Sequence, residues 1–591
     1  MPLSLLKVRL TAGSLLAASL TFSHGGYAQQ PSPSLKEADA DYRAGVAALS
    51  RNDLPTALAD FEKVVHLAPR AEQGYSALGA VLVRLGRNGE GIRELEKALA
   101  MQPGDGSAQL NLAIAYEQSG QAAKALPWFA KVEVASRAEK RPLPSYALAS
   151  YARALAAAQQ FPAAVAKMKE AVASDPQNAE LHDELGSLYA QHKDWPGAAQ
   201  AFAAAIRLNP GFALAHLHLG IVLESQHQPG ALDELAKAYQ LAPRNAVIAL
   251  QLGQAWAGAG HDDQAIPVLQ HAVELDPGST AAAYQLGLAL QRTGKPQDAV
   301  PLLQKAAVAD PGNAEVLTNL GMALCQAQQA RDAVPILQRA VAITPGNATA
   351  HQNLAAAYIQ LSQFDDAVAQ LRAALKLSPG APQLHYNLGL AFKMQDDAAH
   401  AIPELETAEK LDPSAPEPPY ALGELYLQAG HYADAARELN ASLKLRPANG
   451  DGWATLGSVY NHLNQLPEAE AALREAIRQL PQQPDPHLTL AAVLVKQNQP
   501  AEATAERKKA ADLMRAHMNR QRAEVATNSG NSLLKSGKPA DAITEFRNAL
   551  SYDPGYADAH RGLANALAQQ GKATESAAER QKAEDLEKAP Q

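Results

Sequence analysis

Residues 280–313 read TAAAYQLGLALQRTGKPQDAVPLLQKAAVADPGN. Around Tyr284, Leu286, Leu288 and Leu290 in the first half, and Ala299, Val300, Leu303, Ala306 and Ala307 in the second, apolar residues recur three and four apart. That period predicts two amphipathic helices. Gly294 supplies the positive φ that ends the first helix, and Pro296 suits the opening turn of the second. Pro311 then closes the stretch and sets the entry to the next.

The stretch is one of many. Pro243, Pro277, Pro311, Pro345, Pro379, Pro413, Pro447 and Pro481 each stand 34 residues from the next, and the same step links Pro69 to Pro103 and Pro176 to Pro210. A period of that size marks stacked supersecondary units rather than one globular core. Two small positions fix the packing inside each unit. Gly287 and Ala299 mark where the paired helices cross, and a larger side chain at either would push the backbones apart. Gly186, Gly220, Gly253, Gly321, Gly389, Gly423 and Gly457 fill the first position elsewhere, and Ala198, Ala265, Ala333, Ala367, Ala401, Ala435 and Ala469 the second.

In these residues the chain resembles the tetratricopeptide repeat family, whose pattern sets an aromatic, Leu-Gly, a second aromatic, Ala, an apolar residue, Ala and Pro in order. Trp453, Leu456, Gly457, Tyr460, Ala469, Leu473, Ala476 and Pro481 match it most fully. Sixteen units follow, beginning at residues 38, 72, 106, 145, 179, 213, 246, 280, 314, 348, 382, 416, 450, 484, 523 and 557. The resemblance implies an all-α fold, a right-handed α-solenoid of stacked antiparallel helix pairs.

The departures suggest boundaries. Both Pro103→Pro176 and Pro481→Pro554 span 73 residues, two periods plus five. The reading is therefore repeats 1–3 over 38–139, an insertion at 140–144, repeats 4–14 over 145–517, an insertion or hinge at 518–522, and repeats 15–16 with a C-terminal cap over 523–591. The unit at 213 is one residue short near Gln228-Pro229-Gly230. Ser576 and Arg580 replace small or apolar residues in the last unit, as a solvent-facing cap requires. Pro127, Pro267, Pro301, Pro335 and Pro403 fall in second helices, where an interior proline costs about 3 kcal/mol. A late helix start, near Gln297–Asp298 in the quoted unit, would place Pro301 in the first turn and remove that cost.

At the N-terminus, Lys7 and Arg9 precede an apolar stretch from Leu10 to Phe22, and Gly26-Tyr27-Ala28 offers small residues for signal peptidase. Thirteen residues are too few to span a bilayer, which needs roughly 20. The expectation is a signal peptide over 1–28 cleaved after Ala28, a flexible linker over 29–37, and a periplasmic or secreted chain with no membrane span after cleavage. The formal net charge is −9, and −11 once Lys7 and Arg9 are removed with that segment. Nothing here forms the basic footprint of a nucleic-acid binder. The one cysteine, Cys325, excludes an internal disulfide.

Stacked helical pairs line a concave side with their first helices. The family places the residue before Leu-Gly in that groove. Here it is Gln251, Gln285, Asn319, Asn353 or Asn387, each 34 from the next. An amide donates and accepts, so it can bond both halves of a peptide group. Five in file make a rail for an extended chain, similar to the asparagine rail of O-linked N-acetylglucosamine transferase. Tyr284, Tyr386 and Tyr420 fall one position earlier and Leu288, Met322 and Leu390 three later, which adds aromatic and apolar anchors. The family's clamp for a C-terminal carboxylate needs Lys where this chain has Leu217, Leu250, Tyr284, Thr318, Gln352 and Tyr386, and is disfavoured. His182, His216, His351, His385, His487 and His560 share one repeat position, the mark of packing rather than metal binding. The basic run Arg507, Lys508, Lys509, Arg515, Arg520 and Arg522 reads first as a solvated helix face.

No phosphate loop, nucleophile elbow, Cys-x-x-Cys or His-Glu-x-x-His occurs, and the repeats leave no room for a catalytic domain. The expectation is a non-enzymatic scaffold or adaptor without cofactor or metal, binding proteins or extended peptides in the cell envelope. The alternatives are an accessory factor for exopolysaccharide synthesis or export, with polysaccharide as partner, or a substrate-presenting subunit for a separate glycosyltransferase.

Overall fold

The computed structural model describes residues 33–588, and every regular element among them is an α-helix, 31 in all. The expected signal peptide lies outside these residues. Helix begins at Pro33, so residues 33–37 of the expected linker belong to the first helix, Pro33–Ser50. The chain divides into two compact units, the first ending at Ala306 and the second beginning at Ala307.

The quoted stretch forms the helices Thr280–Arg292 and Pro296–Ala309. Its turn is a property of the whole chain. Sixteen residues from Asn52 to Gly571 hold φ between +51° and +79°, and they are the fifteenth residues of the sixteen units. Glycine fills the place at Gly294 (φ +74°), but Gln328 (φ +61°) and Lys193 (φ +60°) adopt the same left-handed turn. The two other positive-φ residues among the described ones, Lys140 and Gly230, stand at the first insertion and in the shortened unit. Helix starts are equally regular. Asn178, Asn245, Asn313 and Asn347 cap first helices, with Asn178 Oδ1 accepting from the Glu180 and Leu181 N–H groups at 3.1 and 3.4 Å.

Inside a pair, the small positions work as the spacing predicts. A Cβ on Gly287 would stand 2.8 Å from Leu303 Cγ, and Gly253 and Gly457 face Leu269 and Leu473 at 2.5 Å. Between pairs the interior is shared. Leu217 and Leu235 of one repeat form a single cluster with Ile248 and Leu252 of the next. Each hairpin thus completes its core with its neighbour's side chains, as a repeat array requires.

The helix-internal prolines correct the expectation about where the second helices begin. Each of Pro127, Pro267, Pro301, Pro335 and Pro403 is the sixth residue of its helix, and the quoted one starts at Pro296 rather than at 297–298. The carbonyls that lose a helical partner belong to Ala123, Asp263, Gln297, Arg331 and Ala399. Those five residues and the five prolines are all exposed. Water can replace the lost donor there, so the chain tolerates proline a turn and a half into the helix.

The two insertions fold differently. Residues 140–144 connect Ala122–Ala138 to Ser145–Ala157, whereas 518–522 lie inside one continuous helix, Pro500–Lys535, that joins repeats fourteen and fifteen. In the last repeat Ser576 is buried, and its hydroxyl donates to the Ala564 carbonyl at 2.8 Å.

Candidate peptide groove

Three successive first helices of the second unit, Ala314–Gln326, Ala348–Gln360 and Pro382–Met394, carry Asn319, Asn353 and Asn387 at one repeat position. All three are half-buried. Asn353 Nδ2 is buried and has no hydrogen-bond partner. Asn387 Oδ1 accepts from Gln383 Nε2, one turn earlier, at 3.1 Å. Met322 and Leu390 lie a turn further on and are also half-buried. The other two amides belong to the first unit. Gln251 Nε2 donates to Gln254 Oε1 in its own helix at 3.1 Å. Gln285 sits half-buried with Tyr284 and Leu288 on Thr280–Arg292.

Tyr386 and Tyr420 border a polar end of the file. Lys393 Nζ lies 2.5 Å from Glu424 Oε2, across successive first helices. Burial pushes the Tyr386 hydroxyl above the usual phenol range, with Glu417 and Glu424 adding to it. Burial does the same at Tyr420, again with help from Glu424. At the far end Gln360 Nε2 donates to the Cys325 carbonyl at 3.0 Å, and burial pushes the Cys325 thiol up to about 11. A buried neutral thiol is a small apolar filler.

The shared histidine position is a structural brace. Nε2 of His182, His216, His351 and His385 donates to the carbonyl of the proline six residues upstream, each at 3.1 Å. Trp453 Nε1 makes the same bond to Pro447 at 2.9 Å, and Gln109 Nε2 to Pro103 at 2.6 Å. On the other side His216 Nδ1 lies 2.6 Å from Glu234 Oε2, and His385 Nδ1 2.6 Å from Glu404 Oε2. The position therefore selects any ring or amide that can pin the first helix to the loop before it. Among the described residues no group of His, Cys, Asp and Glu could hold a metal ion.

Sequence reading missed one charged cluster of the first unit. Arg153 stands between Glu117 (3.1 Å) and Glu184 (2.9 Å) on the flanking first helices, and its Nη2 donates to Ser150 Oγ at 2.8 Å. Burial pushes the Glu117 carboxyl above the usual range against the pull of Arg153. Burial lowers the Arg153 guanidinium, but the two carboxylates outweigh it and hold it above its ordinary value. The cluster is a charge-neutralising strut across three repeats.

The tetratricopeptide repeat family model matches residues 76–140, 150–213, 184–246, 284–348, 420–484 and 527–591, which together exceed half of the chain. A second repeat model of the same family matches 357–396. The chain belongs to the tetratricopeptide repeat family. Solved structures similar to this repeat protein include MamA 41-end from Desulfovibrio magneticus RS-1, with 25% identity, 29% of this chain and 96% of that one covered, and a TM-score of 0.27. The APC/C hetero-tetramer Cut9-Hcn1 gives 16% identity, 90% and 96% coverage and a TM-score of 0.33. YrrB, titled a TPR protein with an unusual peptide-binding site, gives 22%, 33% and 97%, and 0.28. No curated protein matches the chain. No helix among the described residues is long and apolar enough to cross a membrane.

Proposed function

We propose that this tetratricopeptide repeat protein is a non-catalytic scaffold that holds an extended peptide segment of a partner protein along the asparagine file of its second unit. The observation that carries this reading is the Asn353 amide, whose Nδ2 is buried without an acceptor. A buried unsatisfied donor costs about 1–3 kcal/mol, and a turn of the Asn353 side chain would offer that donor to a peptide carbonyl laid along the file. Asn319 and Asn387, one repeat to either side, repeat the same side chain at the 34-residue step. Met322 and Leu390 supply apolar contacts beside them. Amides at this position recognise backbone, so the reading is of shape and extension more than of side-chain sequence. The sequence of the first 28 residues supports placement in the cell envelope.

A photo-reactive side chain at Met322 or Leu390 tests the reading. It should crosslink a partner polypeptide from the native envelope, and Asn353→Ala with Asn387→Ala should abolish the adduct without lowering thermal stability. Crosslinking that persists in that variant would remove the rail from the account. Recovery of the chain only from the cytosol would remove the envelope.

A further inference from the structure

The helix Pro500–Lys535 carries a second surface, remote in sequence from the asparagine file. Where it runs from one repeat to the next, residues 511–522 are exposed except for Leu513 and Asn519. Met514, Met518 and Val525 are 41%, 48% and 70% exposed and share one face, being four and seven residues apart. Beside that face lies a shallow groove of about 560 Å³, lined by Met518, Arg522 and Val525 on this helix and by Glu545, Asn548 and Tyr552 on Pro539–Tyr552, so its far wall carries one acid of its own. The Arg522 guanidinium sits over the Tyr552 ring at 5.7 Å.

Charge sets this surface apart. Between 507 and 522 the chain has Arg507, Lys508, Lys509, Arg515, Arg520 and Arg522 against the single acid Asp512, in a protein of net charge −9. Lys509 is taken by Glu506, Arg515 by Asp512 and Arg520 by Asp553. No carboxylate pairs with Arg507, Lys508 or Arg522 among the described residues.

We infer that this stretch docks an acidic amphipathic helix of a partner protein, its apolar stripe on Met514, Met518 and Val525 and its carboxylates on Arg507, Lys508 and Arg522. The backbone here is hydrogen-bonded within the helix, so a partner must engage side chains and cannot add a strand. A ridge with a neighbouring groove is the geometry that receives a helix. Two copies of the chain would bring these cations together, which disfavours self-pairing. A membrane-surface helix carries a broad apolar face with Trp, Phe or Leu, whereas this face offers two methionines and a valine.

The test uses the chain without its first 28 residues and, as probe, a fluorescein-labelled synthetic helix of about five turns, Leu on one face and Glu elsewhere. Fluorescence anisotropy should show binding that weakens with added salt. It should fall at least about tenfold, roughly 1.4 kcal/mol, in Met518→Asp with Arg522→Glu. Asn353→Ala should leave it unchanged, which keeps this surface distinguishable from the groove. Equal binding of a scrambled Glu/Leu peptide, equal affinity in the double variant, or binding to vesicles of phosphatidylcholine with one-third phosphatidylglycerol in preference to the peptide would each overturn the inference. Circular dichroism of the double variant should match the parent, since both side chains are exposed.

Discussion

Gly287 lies directly against Leu303 across its helix pair, so close that a β-carbon would stand 2.8 Å from Leu303 Cγ. Two effects compete when that glycine is enlarged. Alanine gains about 1 kcal/mol of helix propensity over glycine, while overpacking a filled core costs about 1–3 kcal/mol. Gly287→Ala should therefore cost about 1 kcal/mol, consistent with Ala355 at the same register in another repeat. Gly287→Leu cannot be absorbed. Hydrogen exchange should then show protection lost over 280–309 and kept in Gly106–Gln118, because each repeat depends on its neighbours.

At the fifteenth repeat position a left-handed backbone is imposed on Gln328 and Lys193. For a residue with a β-carbon this costs about 1–2 kcal/mol. Gln328→Gly should raise stability by about 1 kcal/mol, and Gly294→Ala should lower it by a similar amount. Urea midpoints at unchanged slope would check both, and no gain in Gln328→Gly would show that the turn is unstrained.

Removing Arg153 leaves Glu117 and Glu184 facing each other without their shared cation. Breaking a buried pair in this way costs about 3–5 kcal/mol. With the Arg153 side chain 29% exposed, about 2 kcal/mol is expected for Arg153→Ala. Lowering the pH should relieve part of the penalty, because Glu117, already pushed up by burial, would take a proton. A thermal shift measured against pH should show Arg153→Ala approaching the parent in mild acid.

Glu506 and Glu579 carry a pH dependence of definite sign. Burial raises each carboxyl, but bonds from His487 and Lys509 to Glu506, and from Lys582 and His560 to Glu579, outweigh it and leave both below the usual range. A depressed carboxyl stabilises the fold above its unfolded value, about 4.3, and loses that contribution as pH falls through the folded value. Acid below about pH 4 should loosen Pro484–Lys496 and Ala557–Gln569. Glu506→Gln should flatten the acid limb of the first, read by site-resolved exchange.

The period and the turn were legible because each repeat must solve the same two problems, a tight crossing and a left-handed turn, and Gly287, Ala299, Gly294 and Pro311 write both solutions into the chain. The five late prolines were not, since their tolerance depends on the carbonyls they release facing water, which spacing does not reveal. Arg153 escaped for a related reason. Its partners lie 36 and 31 residues away, off the 34-residue beat, because the three side chains occupy different repeat positions and the inserted loop adds five residues between Glu117 and Arg153. The asparagine file stood out in the sequence, but only coordinates show that Asn353 lacks a partner.

The fused helix Pro500–Lys535 bears on how the second unit would respond to force. Where two repeats meet at a loop, tension can swing them apart by turning a few backbone dihedrals. Between the fourteenth and fifteenth repeats no such joint exists, and separation must tear consecutive main-chain bonds out of a rod. Pulled from its ends, that unit should part elsewhere first and give way at this splice last.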